Sequence, residues 1–236
     1  MKLINTIRTL ALAAVAALVG TSAWAELSIP TGNAAEAGGT LNYVITSADE
    51  LAQLKDIFDN VWNYKTVNVK IANDIDFTGK QYRLPYIGGQ GSDNRGTDLK
   101  VKIYADVLVT IKGLQYADTG TGDVGLVEHV AASTDSVIIE NITLENVEFT
   151  TGKASVANGV GAFVGFMEGT ELEFVNCHVK GSSIGGAKYV GGMVGYCHAN
   201  ANGSPLGSLT FQGCSVTGVT FGSGRTGGFI GYTLAH

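Results

Sequence analysis

Two pairs of carboxylates, four histidines and three cysteines are the residues whose types could carry chemistry. Asp74 and Asp76 stand two apart, as do Glu171 and Glu173. Residues two apart on an extended strand share one face, so each pair would present its carboxyl groups side by side. Glycoside hydrolysis uses two carboxyl groups about 5–9.5 Å apart across a groove. Simpler readings are stronger here: turn hydrogen bonding for the aspartates of Asn73–Gly79, and a solvated strand face for the glutamates. A Ca²⁺ site at Asp74, Asp76 and Asp93 needs more oxygen ligands than these supply. His129, His178, His198 and His236 show no metal-ligand spacing on one element. Cys197 and His198 adjoin in a glycine- and asparagine-rich stretch read as a loop, but a thiolate–imidazole pair also needs an orienting group and a cleft. No catalytic residue, metal ligand or cofactor contact is assigned.

The elements that must position these residues repeat. Val160-Gly-Ala-Phe-Val-Gly-Phe166 returns as Val190-Gly-Gly-Met-Val-Gly-Tyr196 and as Thr226-Gly-Gly-Phe-Ile-Gly-Tyr232. A second segment precedes each copy: Val137–Leu144, Leu172–Val179 and Leu209–Val216. A repeat unit cannot bury its own apolar face and must stack on its neighbours. The apolar positions are Val137, Ile139, Ile142, Leu144, Val147 and Phe149, then Leu172, Phe174, Cys177, Val179, Ser182 and Ile184, then Leu209, Phe211, Cys214, Val216, Val219 and Phe221. Steps of two are strands with one face inward. Steps of three mark bends where an extra residue keeps the apolar set inside. Val124-Gly-Leu-Val127 reads as a degenerate first copy, and Val101, Ile103, Val107, Val109 and Ile111 as strand.

The pattern predicts an all-β solenoid, a right-handed parallel β-helix over 41–236, with glycine-motif repeats from about 122. The paired glycines would serve positive-φ turns or close backbone approach. They lack the forms that cradle a dinucleotide or open a P-loop. Phe166, Tyr196 and Tyr232 would stack as an aromatic ladder on one face. Ser47-Ala-Asp-Glu50 matches a capping box, and Leu51, Leu54, Ile57, Phe58 and Val61 follow on one helical face. This predicts a helix over 48–61 that caps one end of the solenoid.

Residues 1–25 read as a secretory signal peptide, with Lys2 and Arg8, an apolar stretch and the cleavage site Ala23-Trp-Ala25. The apolar run is too short for a membrane span of about 20 residues, so the chain is expected to be exported without a transmembrane anchor. Residues 26–40 read as a flexible lead-in. The net charge of −6 argues against a nucleic-acid partner. Cys177 and Cys214 occupy equivalent repeat positions. Stacked free thiols are favoured over a disulfide, although the spacing of neighbouring strands, about 4.8 Å, would accept one.

The glycine segments resemble the GLUG motif of secreted bacterial surface proteins, beside strands like Leu209-Thr-Phe-Gln-Gly-Cys-Ser-Val. Ile45–Leu51, Lys70–Gly79, Tyr86-Ile-Gly88 and Thr110–Leu114 resemble the elements that precede that motif. Tyr104-Ala-Asp-Val107 departs from the family's glycine-aspartate-glycine turn. The resemblance implies a pectin-lyase-type right-handed β-helix and an adhesin-like, non-catalytic module, secreted or on the cell surface. A polysaccharide lyase or glycoside hydrolase, and a non-catalytic glycan-binding module with Tyr82, Tyr86 and Tyr104 as handles, are the alternatives. The expected partner is a surface glycan or another protein. Only four residues follow Tyr232, so self-association through the C-terminal rung, or a downstream segment that continues the coil, is a further expectation.

Overall fold

The computed structural model describes residues 39–60, 64–88, 98–118, 122–151, 158–186, 188–199 and 207–234. The chain is a parallel β-solenoid of about four turns. Four sheets run along it. The first is built from Thr40–Ile45, Thr66–Ile71, Leu99–Lys112, Thr134–Glu145, Glu171–Val175 and Leu209–Gln212 in that order. The second holds Gln115–Asp118, Glu148–Thr151, Ser183–Gly185 and Thr220–Phe221. Gly159–Gly161, Tyr189–Gly191 and Arg225–Gly227 form the third. Tyr86–Ile87, Val127–Val130, Val164–Glu168, Val194–His198 and Ile230–Leu234 form the fourth.

The predicted apolar columns are the core. Val137 pairs Leu172, which pairs Leu209; Ile139, Phe174 and Phe211 follow in the same register. Phe174 and Phe211 stack at 5.2 Å with rings 5° apart. The first two units are fully buried at these positions, including Ser182, whose hydroxyl accepts from Val147 N–H and donates to the Lys180 carbonyl. In the third unit the same column is half-buried against the core.

The steps of three have a specific cause. The extra residue at each bend adopts the left-handed conformation: Asn141 (φ 59°), Asn176 (51°) and Gly213 (66°) at one bend, Asn146 (52°), Gly181 (55°) and Gly218 (62°) at the next. Asparagine and glycine tolerate this region where other residues do not. Asparagine adds hydrogen bonds between coils: Asn141 Nδ2 donates to the Ala105 carbonyl and Asn176 Nδ2 to Asn141 Oδ1, both at 2.9 Å.

The glycine motif works by close approach. None of Gly161, Gly191 and Gly227, which are in register, has positive φ. A Cβ at Gly191 would overlap the Val194 carbonyl oxygen and lie 2.7 Å from Gly231 N. One at Gly195 would collide with Val160 N and stand 2.6 Å from the Gly159 carbonyl carbon. The outer faces of the third and fourth sheets meet here backbone to backbone, leaving no room for side chains. The bridge between Val124 and Val160 makes Val124-Gly-Leu-Val127 an earlier copy of the same corner.

The helical segment is two short helices, Ala48–Leu51 and Leu54–Asp59, separated by a turn at Ala52–Gln53. The capping box is present, with Ser47 accepting from Glu50 N–H and Glu50 from Ser47 N–H. Leu51, Leu54, Ile57 and Phe58 join the core, in keeping with a cap near the N-terminus; Val61 lies outside the described residues. The strand Thr40–Ile45 precedes the helices and pairs with Thr66–Ile71, so the cap is inserted within the first coil. Val107 does not point inward. Ala105–Leu108 bulge where the register shifts between Tyr104 and Val109, leaving Val107 69 % exposed.

Candidate functional site

The corner between the third and fourth sheets gathers a run of aromatic rings with several titratable groups beside it. Phe166 and Tyr196 stack at 5.0 Å, as the repeats predict, and Tyr232 follows in register, 5.8 Å from Tyr196 with the rings tilted by 33°. The ladder is longer than the sequence indicates. His129 takes the position before Phe166 and Tyr86 the one before that, because the register runs Tyr86, His129, Phe166, Tyr196, Tyr232. His129 stacks on Tyr86 at 4.4 Å and meets Phe166 edge-on at 4.5 Å. Tyr189, from the third sheet, packs on Tyr196 at 4.6 Å and on Tyr232 at 4.5 Å. Each such pair contributes roughly 0.5–1.5 kcal/mol beyond area burial.

Carboxylates flank the ladder at its N-terminal end. Asp123 occupies the place of Gly159 one coil earlier and accepts from Gly159 N–H at 2.7 Å. Its other oxygen lies 4.0 Å from His129 Nδ1, and Glu168 Oε2 lies 3.8 Å from His129 Nε2. These separations are too long for hydrogen bonds, and His129 Nε2 is buried without a hydrogen-bond partner among the described residues. Burial pushes the Asp123 carboxyl up to about 7; the Gly159 N–H opposes this and the Glu128 charge adds to it. Burial, then Glu168, Glu128 and Asp123, lift the Tyr86 phenol to about 12. A carboxyl that changes protonation near neutrality beside an imidazole is what proton transfer requires. The sequence signal was weak: one aspartate in a degenerate copy of a glycine motif, with its partners in other coils.

Of the residues first considered for chemistry, His129 and His198 are at this corner, and the carboxylate pairs and His178 lie elsewhere. Asp74 accepts from Thr110 N–H at 2.7 Å. Asp76 accepts from Thr78 N–H and pairs with Lys112 at 3.0 Å; the Thr78 side chain, then Lys112 and the Thr78 N–H, hold its carboxyl down at about 2. A hollow of about 360 Å³ lies between Asp74, Asp76, Thr110 and Lys112. Asp93 and His236 fall outside the described residues. Glu171 and Glu173 stand on the outer rows of the first sheet, beside Ser136 and Ile138. His178 contacts Ser215 Oγ at 2.8 Å and Asn176 Oδ1 at 3.1 Å; burial and then Lys180 lower its pKa.

Three expectations are corrected. Cys197 and His198 belong to the strand Val194–His198, not to a loop, so they project to opposite sides. Cys197 is in the core with its thiol pushed to about 12 by burial, while His198 contacts Phe166 and Tyr196. Tyr82 is buried, donating to the Leu126 carbonyl at 2.5 Å, so it offers no surface to a ligand. Tyr86 has a ring face covered by His129. Tyr104 remains on the outer face of the first sheet, with Lys102 Nζ 4.8 Å from its ring centre. Cys177 and Cys214 are free thiols, as favoured.

A second hollow, of about 460 Å³, lies on the outer face of the second sheet between Lys80, Gln115, Glu148 and Ser183. Gln115 donates to Glu148 there at 3.2 Å. Among the described residues, no group of three or more His, Cys, Asp and Glu is arranged to hold a metal, and no helix is long and apolar enough to cross a membrane. Comparison with known proteins returns no matching family model, curated protein or solved structure.

Proposed function

We propose that the chain is an adhesin-like structural and interaction module, exported to the cell surface or medium and working without catalysis. The supporting observation is how the outward side chains are used. Carboxylates and ammonium groups on the first sheet pair across coils, as in Lys102 with Glu140 at 2.6 Å and Lys70 with Asp106. The aromatic rings at the corner stack on one another, so most of their faces are occupied by other rings. Exposed ion pairs of this kind add about 0–1 kcal/mol each, but together they stiffen a rod that presents its surface. The partner is a surface glycan or another protein, another copy of this chain included.

The enzyme reading keeps one specific support: Asp123, His129 and Glu168 meet beside an aromatic wall. A panel of uronate-containing and neutral glycans incubated with the secreted chain separates the two readings. The module reading expects retention on some surfaces without turnover. Turnover lost on Asp123→Asn or Glu168→Gln would establish the enzyme instead. Recovery of the full-length chain inside the cytoplasm, with residues 1–25 uncleaved, would remove the proposed location.

A further inference from the structure

Among the described residues, most cations of this acidic chain are matched. Lys55, Lys80, Arg83 and Lys112 face Asp59, Asp49, Asp56 and Asp76, and Lys65, Lys70, Lys100 and Lys102 face Asp98, Asp106, Asp135 and Glu140. Among the described residues, Lys180, Lys188 and Arg225 have no carboxylate within ion-pair distance. Two of these three lie against the same ring. Arg225 N–H donates to the Lys188 carbonyl at 2.9 Å and Arg225 pairs in register with Tyr189, so it stands one position along from Lys188 on the neighbouring coil. Lys188 Nζ stands 5.3 Å from the Tyr189 ring centre. The Arg225 guanidinium stands 5.9 Å from the same ring and 5.3 Å from that of Tyr232.

The underlying rings are fixed. Tyr189 and Tyr232 are stacked with planes 10° apart, and Tyr189 also packs on Tyr196. A cation over a ring is held by the quadrupole, and its remaining N–H donors stay free for a ligand. Two preorganised cations one coil apart suit a single oxyanion, because guanidinium presents a planar fork and ammonium a point charge. Tyr189 and Tyr196 are buried, and half-buried Tyr232 beneath Arg225 adds a phenol, which both donates and accepts. Charge for an acid group together with a hydroxyl for a polyol favours an acidic sugar over an acidic peptide. Asp123 and Glu168 lie toward the other end of the corner, so the field along it is directional. The acid group of a ligand belongs at the Arg225 end.

We propose that Lys188 and Arg225, standing over Tyr189 and Tyr232, form a binding site for the carboxylate or sulfate group of an acidic saccharide. The site rests on the reading of the chain as an interaction module and names the chemistry of its partner.

The test is calorimetric titration of the secreted chain with a sulfated oligosaccharide, a uronate oligosaccharide, their desulfated and carboxyl-reduced forms, inorganic sulfate and oligoglutamate. At least one acidic oligosaccharide binds, its uncharged form does not, and Lys188→Ala with Arg225→Ala weakens binding by about tenfold or more, with Arg225→Lys recovering part of the loss. Both side chains sit at the surface corner, and an unchanged far-ultraviolet spectrum verifies the fold of the variants. Equal affinity in the double variant, equal binding of the uncharged forms, binding of oligoglutamate or sulfate alone, or no binding at all would overturn the site. Surface retention that persists in the double variant removes this site but leaves the proposed function standing. A wild-type chain retained on no surface removes the proposed function itself.

Discussion

Replacing Asp123 by asparagine should stabilise the protein, and only at higher pH. The carboxyl moves from 3.8 in the unfolded chain to about 7 in the fold, which costs about 4 kcal/mol once the group is ionised in both states. Below pH 3.8 both states hold the proton and no penalty exists. Between 3.8 and 7 the unfolded chain ionises while the fold keeps its proton, so stability falls as pH rises. Above 7 the whole penalty stands. Asparagine retains the oxygen that accepts from Gly159 N–H and never ionises. His129, Glu128, Tyr86 and Tyr196 also face this carboxyl, and taking the difference between variant and wild type at each pH removes most of their own titration. Urea unfolding at pH 4 and pH 9 reads the effect. Asp123→Asn should gain up to about 4 kcal/mol at pH 9 and far less at pH 4. A gain of equal size at both pH values, or a loss at pH 9, would refute the account of Asp123 as a carboxyl buried against its own charge.

The glycine corner makes a second prediction. Gly191→Ala should destabilise by about 1–3 kcal/mol or more from overpacking, whereas Gly228→Ala, with nothing within 4 Å of the added methyl, should be neutral or gain about 0.4–1 kcal/mol; thermal melts of the two variants decide it. At the asparagine bend, Asn176→Gly should lose about 1 kcal/mol with its hydrogen bond, and Asn176→Ala about 1–2 kcal/mol more, because φ stays at 51° and alanine resists it; an alanine variant equal to glycine would count against the left-handed bend. The half-buried column Leu209, Phe211, Val216 and Phe221 predicts concentration-dependent association of the secreted chain in sedimentation, and Phe211→Lys should abolish it. A clean monomer at every concentration would mean that this coil is not a docking surface.

Much of the fold was legible because a solenoid writes its core into local sequence. Each coil contributes its own inward residues at fixed offsets, so Val137, Leu172 and Leu209 could be aligned before their stacking was known. The capping box at Ser47 and Glu50 is equally local: four consecutive residues contain both reciprocal hydrogen bonds. The bends were visible as steps of three, since the apolar register skips wherever a left-handed residue is inserted.

Tertiary structure decided what the outward side chains do. Gly159 and Asp123 are 36 residues apart and become neighbours only through the pitch of the coil. His129 and Glu168 likewise come from different coils, and nothing in their spacing marks them as partners of Asp123. The same holds for Lys188 and Arg225, each unremarkable in sequence and adjacent only across two coils. Close approach rather than positive φ at the glycine motif was settled by backbone from the neighbouring coil, which local sequence does not contain. Cys197 and His198 show the converse: sequence placed them together, and the alternation of a strand sends one thiol into the core and one imidazole to the surface. Inward positions answer to a repeating local constraint, so they carry a period. Outward positions answer to partners a whole coil away, so their meaning appears only once the coils are stacked.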